Sequence, residues 1–224
     1  MTTGKGLKTV IIIPARMESK RLPGKPLANV NGKPLLQWTY NAAKKTEADF
    51  VIVTTPDKVI VDYCFANDIL VALTDENIEN GTVRCAQAMK QSFSDKDMFQ
   101  SISLHPLGLL SRVVNWQVDE PLVDPTYVNR MLKSQSSNIQ TLVSPYSPNV
   151  FSNGTVRAVI NDKGTICHWF TRHSIPGTLF HCGIYAFAWT ILEEIADLQP
   201  TKKAKLESLE QLTWLENEYP ISPI

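Results

Sequence analysis

The sequence predicts an α/β fold, a mostly parallel central sheet with helices on both faces, and three observations carry that prediction. Val10-Ile11-Ile12-Ile13, Phe50-Val51-Ile52-Val53-Thr54-Thr55 and Ile69-Leu70-Val71-Ala72-Leu73 are short apolar runs rich in β-branched residues, as expected of strands buried on both faces. Each is followed by a polar turn and then a stretch of helical period, so strand and helix alternate. From Thr141 onward the pattern changes to strands joined by tight turns, which predicts an α+β elaboration in the second half.

In chain order, the Asn31-Gly32 pair signals a turn, and Pro34 suits the first turn of a helix running to about Lys45. That helix is expected to turn Leu35, Leu36, Trp38 and Ala42 toward the sheet. A second helix is expected from Lys58 to Asn67 and a third from about Val83 to Phe93, entered through Gly81-Thr82. The stretch from Phe93 to Leu110, interrupted by Pro106 and Gly108, reads as irregular. Val113 to Trp116 is a fourth strand, and Asp124 before Pro125 caps a helix from Thr126 to Lys133. In the second half, the strands around Asp162-Lys163-Gly164 form an antiparallel hairpin. His181 to Phe187 is a further strand, and Trp189 to Leu198 and Leu206 to Asn217 are helices.

The chain has 224 residues, 43% of them hydrophobic, enough for a sizeable core. Lys plus Arg equals Asp plus Glu, 22 against 22, so no net charge draws it to nucleic acid or a membrane surface. No apolar run approaches the ~20 residues of a membrane span, and Met1 to Gly6 has no signal-peptide core, so a cytoplasmic location is expected. Cys64, Cys85, Cys167 and Cys182 lack CxxC spacing and read as small buried hydrophobes. Cys167, His168, His173, His181 and Cys182 carry zinc-type donors, but their spacings fit no compact zinc module.

Local charge is more informative. The first strand runs into Pro14-Ala15-Arg16-Met17-Glu18-Ser19-Lys20-Arg21-Leu22-Pro23-Gly24-Lys25-Pro26, which holds four cations. In open α/β sheets ligands bind outside the carboxyl ends of the strands, so this loop is placed to receive phosphate or carboxylate. The plainer alternative is a solvated basic turn. After the fourth strand, Gln117-Val118-Asp119-Glu120-Pro121 puts Asp119 on the same edge of the sheet.

Several blocks then coincide in order: Pro14-Ala15-Arg16 with Ser19 and Arg21-Leu22-Pro23-Gly24-Lys25-Pro26-Leu27, Asn31-Gly32-Lys33-Pro34, and Gly81-Thr82-Val83-Arg84. Val114 to Pro121, Phe170 to Pro176, His181-Cys182-Gly183-Ile184-Tyr185 and Leu209-Glu210-Gln211-Leu212 follow. Together they resemble the 3-deoxy-manno-octulosonate cytidylyltransferase (CMP-Kdo synthetase) family across nearly the whole chain. The resemblance implies a nucleotidyltransferase-type, Rossmann-like fold in a single domain spanning 1–224, with a sugar-binding and dimerisation elaboration at about 141–200. It implies a homodimer that joins CTP to an acidic sugar, releases pyrophosphate and serves lipopolysaccharide biosynthesis.

By the same resemblance, Arg16, Ser19, Arg21 and Lys25 are phosphate ligands, and Asn80, Gly81, Thr82 and Arg84 bind nucleotide. Asp119 holds Mg²⁺, and Arg16, Lys25 and Asp119 are the catalytic set. Gln117, Arg172, His181, Glu210 and Gln211 contact the sugar. Two departures stand out: Val118 occupies a position where the family has glycine, and the chain stops at Ile224, before a family block whose first Asp is the second metal ligand. Two readings of different class follow, an active CMP-sugar synthetase and a remodelled member that only binds nucleotide or sugar acid. A CMP-sialic-acid-type synthetase is a neighbouring alternative, which the Arg21 to Lys25 run disfavours.

Overall fold

The structure, a computed structural model, describes residues 8–18, 22–78, 80–94, 110–145 and 155–224. The chain divides into two compact units, residues 1–133 and 134–224.

In the first unit, β1 (Lys8–Pro14) leads through the loop and a 3-10 turn to a small ribbon, β2 (Asn29–Val30) and β3 (Lys33–Pro34). Then come α1 (Leu35–Ala43), β4 (Phe50–Thr55), α2 (Lys58–Ala66), β5 (Val71–Leu73), α3 (Gly81–Ser94), β6 (Leu110–Trp116) and α4 (Pro125–Lys133). The strands lie in the order β5-β4-β1-β6, every pair parallel. Val10 to Ile13 are all fully buried, as a strand flanked on both sides requires. The ribbon turns at Asn31 (φ 49°) and Gly32 (φ 84°), the two successive positive φ values a two-residue hairpin needs.

Three expectations are corrected here. The buried face of α1 is Leu36, Thr39, Ala42 and Ala43. Trp38 is half-buried instead, because its indole N–H donates to the Val30 carbonyl (2.7 Å) while Lys33 sits over the ring. β5 begins at Val71 rather than Ile69: Asp68 turns left-handed (φ 54°), and the Ile69 N–H returns to the Cys64 carbonyl (2.9 Å), so Ile69 closes α2. β6 already starts at Leu110. Most of the segment read as irregular, residues 95–109, lies outside the described residues.

The second unit contains β7 (Ile139–Ser144), β8 (Arg157–Ile160), β9 (Cys167–Thr171), β10 (Leu179–Ala188), α5 (Trp189–Ala196), α6 (Lys202–Glu207), α7 (Gln211–Glu216) and β11 (Ile221–Pro223). Its strands run β10-β7-β11-β9-β8, antiparallel except for β11 with β7. β8 also pairs with β10 at Leu179 and Phe180, so this sheet curls back on itself. The expected hairpin is present, turning through Gly164 (φ 68°). The expected helix from Leu206 to Asn217 is instead two helices. Ser208 adopts a left-handed conformation (φ 53°) and its N–H bonds the Ala204 carbonyl, which ends α6 before α7 starts. The break seats Trp214 edge-on against Tyr185 and Phe187, with centroids 4.9 and 5.6 Å away. Among the described residues no helix is long and apolar enough to cross a membrane.

Candidate nucleotide site

The strand order of the first unit locates its crevice. The chain builds outward from β1 to β4 and β5, then crosses to lay β6 on the other side of β1. Loops leaving the carboxyl ends of β1 and β6 therefore diverge, and a gap opens between them. A cavity of about 280 Å³ lies there, walled by Arg16, Glu18 and Lys25 from the first loop, Gly81 and Arg84 from α3, and Gln117, Val118 and Asp119 from the second.

The first loop is held by the backbone. Ala15 N–H extends the ladder to the Thr54 carbonyl (2.9 Å), and the Met17 N–H donates to the Asp57 carboxylate (2.8 Å). Gly24, with φ 71°, returns its N–H to the Met17 carbonyl (2.9 Å) and caps the 3-10 turn that begins at Lys25. Ser19 and Arg21 lie outside the described residues.

The second loop is equally well fastened. The Trp116 indole N–H donates to the Glu120 carbonyl (2.9 Å), and the Thr39 hydroxyl to the Val118 carbonyl (2.6 Å). Val118 is 7% exposed and is not among the positive-φ residues, so the turn before Asp119 is built without a left-handed residue there. Its side chain lines the cavity.

Three cations and two carboxylates meet in this space. Lys25 pairs with Asp119, and Arg16 with Glu18. Arg84 is 2% exposed and donates to Thr74 Oγ1 (2.6 Å), to the Asp75 carbonyl (3.1 Å) and to the Ile78 carbonyl. Its pKa is held below the ordinary guanidinium value first by burial and then by the neighbouring Arg16 cation. Three cations are thus held together against desolvation and mutual repulsion.

The Asn80-Gly81-Thr82 block opens α3. Asn80 Oδ1 accepts from the N–H groups of Thr82 (2.7 Å) and Val83 (3.2 Å), an N-cap. Thr82 is buried and its hydroxyl accepts from Asn115 Nδ2 (3.2 Å). Of the expected nucleotide residues Asn80, Gly81, Thr82 and Arg84, it is Gly81 and Arg84 that line the cavity.

Of the expected sugar contacts, Gln117 lines this cavity, whereas Arg172, His181, Glu210 and Gln211 belong to the second unit. Arg172 points its guanidinium at the Glu207 and Ser208 carbonyls, both 3.4 Å away, at the end of α6. Glu210 precedes α7 and buries Oε2, and Gln211 is 3% exposed.

The neighbours of His181 fix which ring nitrogen donates. The Thr141 hydroxyl gives its one proton to the Ile184 carbonyl (2.8 Å), so it must accept from His181 Nε2–H (2.9 Å). The neutral ring then carries a bare Nδ1, an acceptor suited to a hydroxyl. Packing between Phe170 and Tyr185 and the accompanying burial push its pKa down to about 3.

This lowered pKa has a consequence for stability. The unfolded imidazole, with a pKa near 6.5, takes up a proton that the folded one refuses. The stability at stake is fully present above about pH 6.5 and is lost as pH falls toward 3. Denaturant melts at pH 7 and pH 5 are expected to show the native chain losing about 2 kcal/mol more than His181→Gln over that interval.

Sequence reasoning did not pick out Thr39, Asp57, Asn115 or Glu18. The first three are polar side chains buried or bonded by tertiary contact, and nothing in their local spacing marks them. Glu18 carried a signal, being a carboxylate inside a cationic run. Among the described residues no three His, Cys, Asp or Glu side chains are gathered as for a metal ion. A divalent cation that arrives with phosphate oxygens and water needs one or two protein carboxylates, and Asp119 lines the cavity as a donor of that kind.

A doubly wound parallel sheet with an anion-receptive crevice at its switch point places the first unit among the nucleotidyltransferase-type α/β proteins. Sequence comparison narrows this, matching the cytidylyltransferase family over residues 10–221. The 3-deoxy-manno-octulosonate cytidylyltransferase of Photobacterium profundum is 34% identical over 222 residues, 90% of this chain and 84% of that protein. That of Vibrio cholerae serotype O1 is 33% identical over 222 residues, 90% of this chain and 82% of that protein. A solved CMP:2-keto-3-deoxy-manno-octonic acid synthetase complexed with CTP superposes with a TM-score of 0.80 at 28% identity, covering 97% of this chain and 89% of that one. The chain belongs to the cytidylyltransferase family, among the 3-deoxy-manno-octulosonate cytidylyltransferases.

Proposed function

We propose that this chain transfers the cytidylyl group of CTP to 3-deoxy-manno-octulosonate or a closely related acidic sugar, forming the CMP-sugar and pyrophosphate. The observation that carries the reading is the convergence of Arg16, Lys25, Arg84 and Asp119 on one cavity at the switch point, in a chain of this family.

The anomeric hydroxyl of the sugar attacks the α-phosphorus of CTP in line with the departing pyrophosphate. The reaction needs no protein nucleophile. Arg16 and Lys25 take the β- and γ-phosphates and stabilise the charge that builds as the α–β bond breaks. Arg84 and the first turn of α3, through Asn80, Gly81 and Thr82, hold the nucleotide, and Ser19 and Arg21 join the phosphate ligands on the strength of the family resemblance. Asp119 would hold Mg²⁺, which would supply charge neutralisation on the phosphates. On the sugar side, Arg172 suits the carboxylate, since a guanidinium fork matches a planar anion, while Gln117, His181 Nδ1, Glu210 and Gln211 suit hydroxyls. Fixing both reactants in this way would supply most of the acceleration through orientation. A homodimer and a cytoplasmic, lipopolysaccharide-building role belong to the same reading and rest on the resemblance.

Pyrophosphate release, followed with CTP and a panel of octulosonic and nonulosonic acids across a magnesium titration, tests it. Turnover should require magnesium and favour the octulosonic acid. A preference for the nonulosonic acid would make the chain a CMP-sialic-acid-type synthetase, and CTP binding without turnover on any acid would make it a binding protein.

A further inference from the structure

We propose that Glu18 is a built-in counter-ion of Arg16 that an incoming polyphosphate must displace, so that Glu18 sets the affinity of the pocket for triphosphates. The inference rests on the reading of this cavity as a nucleotide site and adds a residue to it.

The pair is asymmetric. The Arg16 side chain is 29% exposed, while that of Glu18 is 82% exposed. Arg16 is thus seated in the wall, whereas the carboxylate reaches it from solvent and can leave without being desolvated elsewhere. The chain around it explains why Arg16 needs a partner. Arg84 is buried close enough for the two guanidinium groups to repel, and Lys25 lines the same cavity. Without a carboxylate, the site would hold like charges facing one another. Lys25 is neutralised in the same manner by Asp119, whose side chain is 36% exposed. Two of the cavity's three cations, Arg16 and Lys25, are thus each matched by a carboxylate.

A phosphate claiming the Arg16 fork has to take the place of the carboxylate, because both anions seek the same N–H donors. Once released, Glu18 stands beside a polyanion and is driven into water. Every ligand that uses Arg16 bears this cost, and a ligand that does not reach Arg16 escapes it. Exposed pairs of this kind are weak, which limits the penalty to about two- to fivefold in affinity. It should shrink as salt screens the pair.

The test is titration calorimetry without metal at low ionic strength, using inorganic tripolyphosphate, CTP and cytidine against the native chain, Glu18→Gln, Glu18→Asp, Arg16→Ala and the double variant. Glu18→Gln should bind tripolyphosphate and CTP about two- to fivefold more tightly. Cytidine affinity should not change, and Glu18→Asp, which keeps the charge, should fall back toward the native value. The gain should vanish at high ionic strength and in the Arg16→Ala background. Unchanged or weaker binding by Glu18→Gln overturns the proposal, as does an equal gain when Arg16 is absent, which would make Glu18 a simple repulsive charge. If the native chain binds neither CTP nor tripolyphosphate, the nucleotide reading falls and takes this inference with it. CTP binding that is indifferent to Glu18 overturns the inference alone.

Discussion

Lys25→Ala is expected to lower kcat/KM for CTP by about 10²- to 10³-fold, roughly 3–4 kcal/mol of transition-state stabilisation. The ammonium that lines the cavity, and that would stabilise the charge building on the departing pyrophosphate, disappears. The fold should be little affected, because Lys25 lies in a short 3-10 turn whose geometry depends on Gly24 and backbone bonds. Steady-state kinetics with a parallel thermal melt check this. A large kinetic loss with an unchanged melting temperature is the expected pair of results.

Arg84→Met is expected to act on the fold. The substitution removes the donors to Thr74 Oγ1 and to the Asp75 and Ile78 carbonyls, which hold the segment leading into α3. Methionine roughly keeps the volume and makes no hydrogen bonds, so Thr74 Oγ1 keeps only the Thr54 hydroxyl (3.3 Å) and the two carbonyls lose their tie to α3. At about 1 kcal/mol for each lost hydrogen bond, the loss is about 3 kcal/mol, or roughly 6–12 °C in Tm for a chain of this size. Nucleotide binding should weaken as well, since the first turn of α3 is part of the same wall. Lys25→Ala and Arg84→Met thus separate a cation that serves the ligand from one that also serves the scaffold, by kinetics in one case and by melting in the other.

Where local chemistry decided the structure, the sequence was readable. Val10 to Ile13 can only be a doubly buried strand, Asn31-Gly32 is a two-residue turn, and Asp124 caps α4 through the Thr126 N–H (2.9 Å). The meeting of Lys25 and Asp119, 94 residues apart, was also legible, because both follow strands that end at the same edge of a parallel sheet. What escaped was set by how helices end and by tertiary contact. Ile69 looks like the start of a strand but closes a helix, and Leu206 to Asn217 has helical period throughout but breaks at Ser208 so that Trp214 can reach Tyr185. Thr39 and Asp57 hold the two site loops through single bonds to distant backbone, and no pattern in their own segments announces it. The cavity's cations and Asp119 were therefore legible, and Glu18 and the supports that aim the loops were not.

The cavity between the first loop and Asp119 is, on this reading, the place where CTP is activated. Incubation with CTP labelled at the α-phosphate, 3-deoxy-manno-octulosonate and magnesium tests this most directly. Label should appear in a CMP-sugar with release of one equivalent of unlabelled pyrophosphate, and transfer should fall by about two orders of magnitude or more in Lys25→Ala. Transfer that is equally fast in Lys25→Ala, or CTP that stays intact beside the native chain, would contradict it.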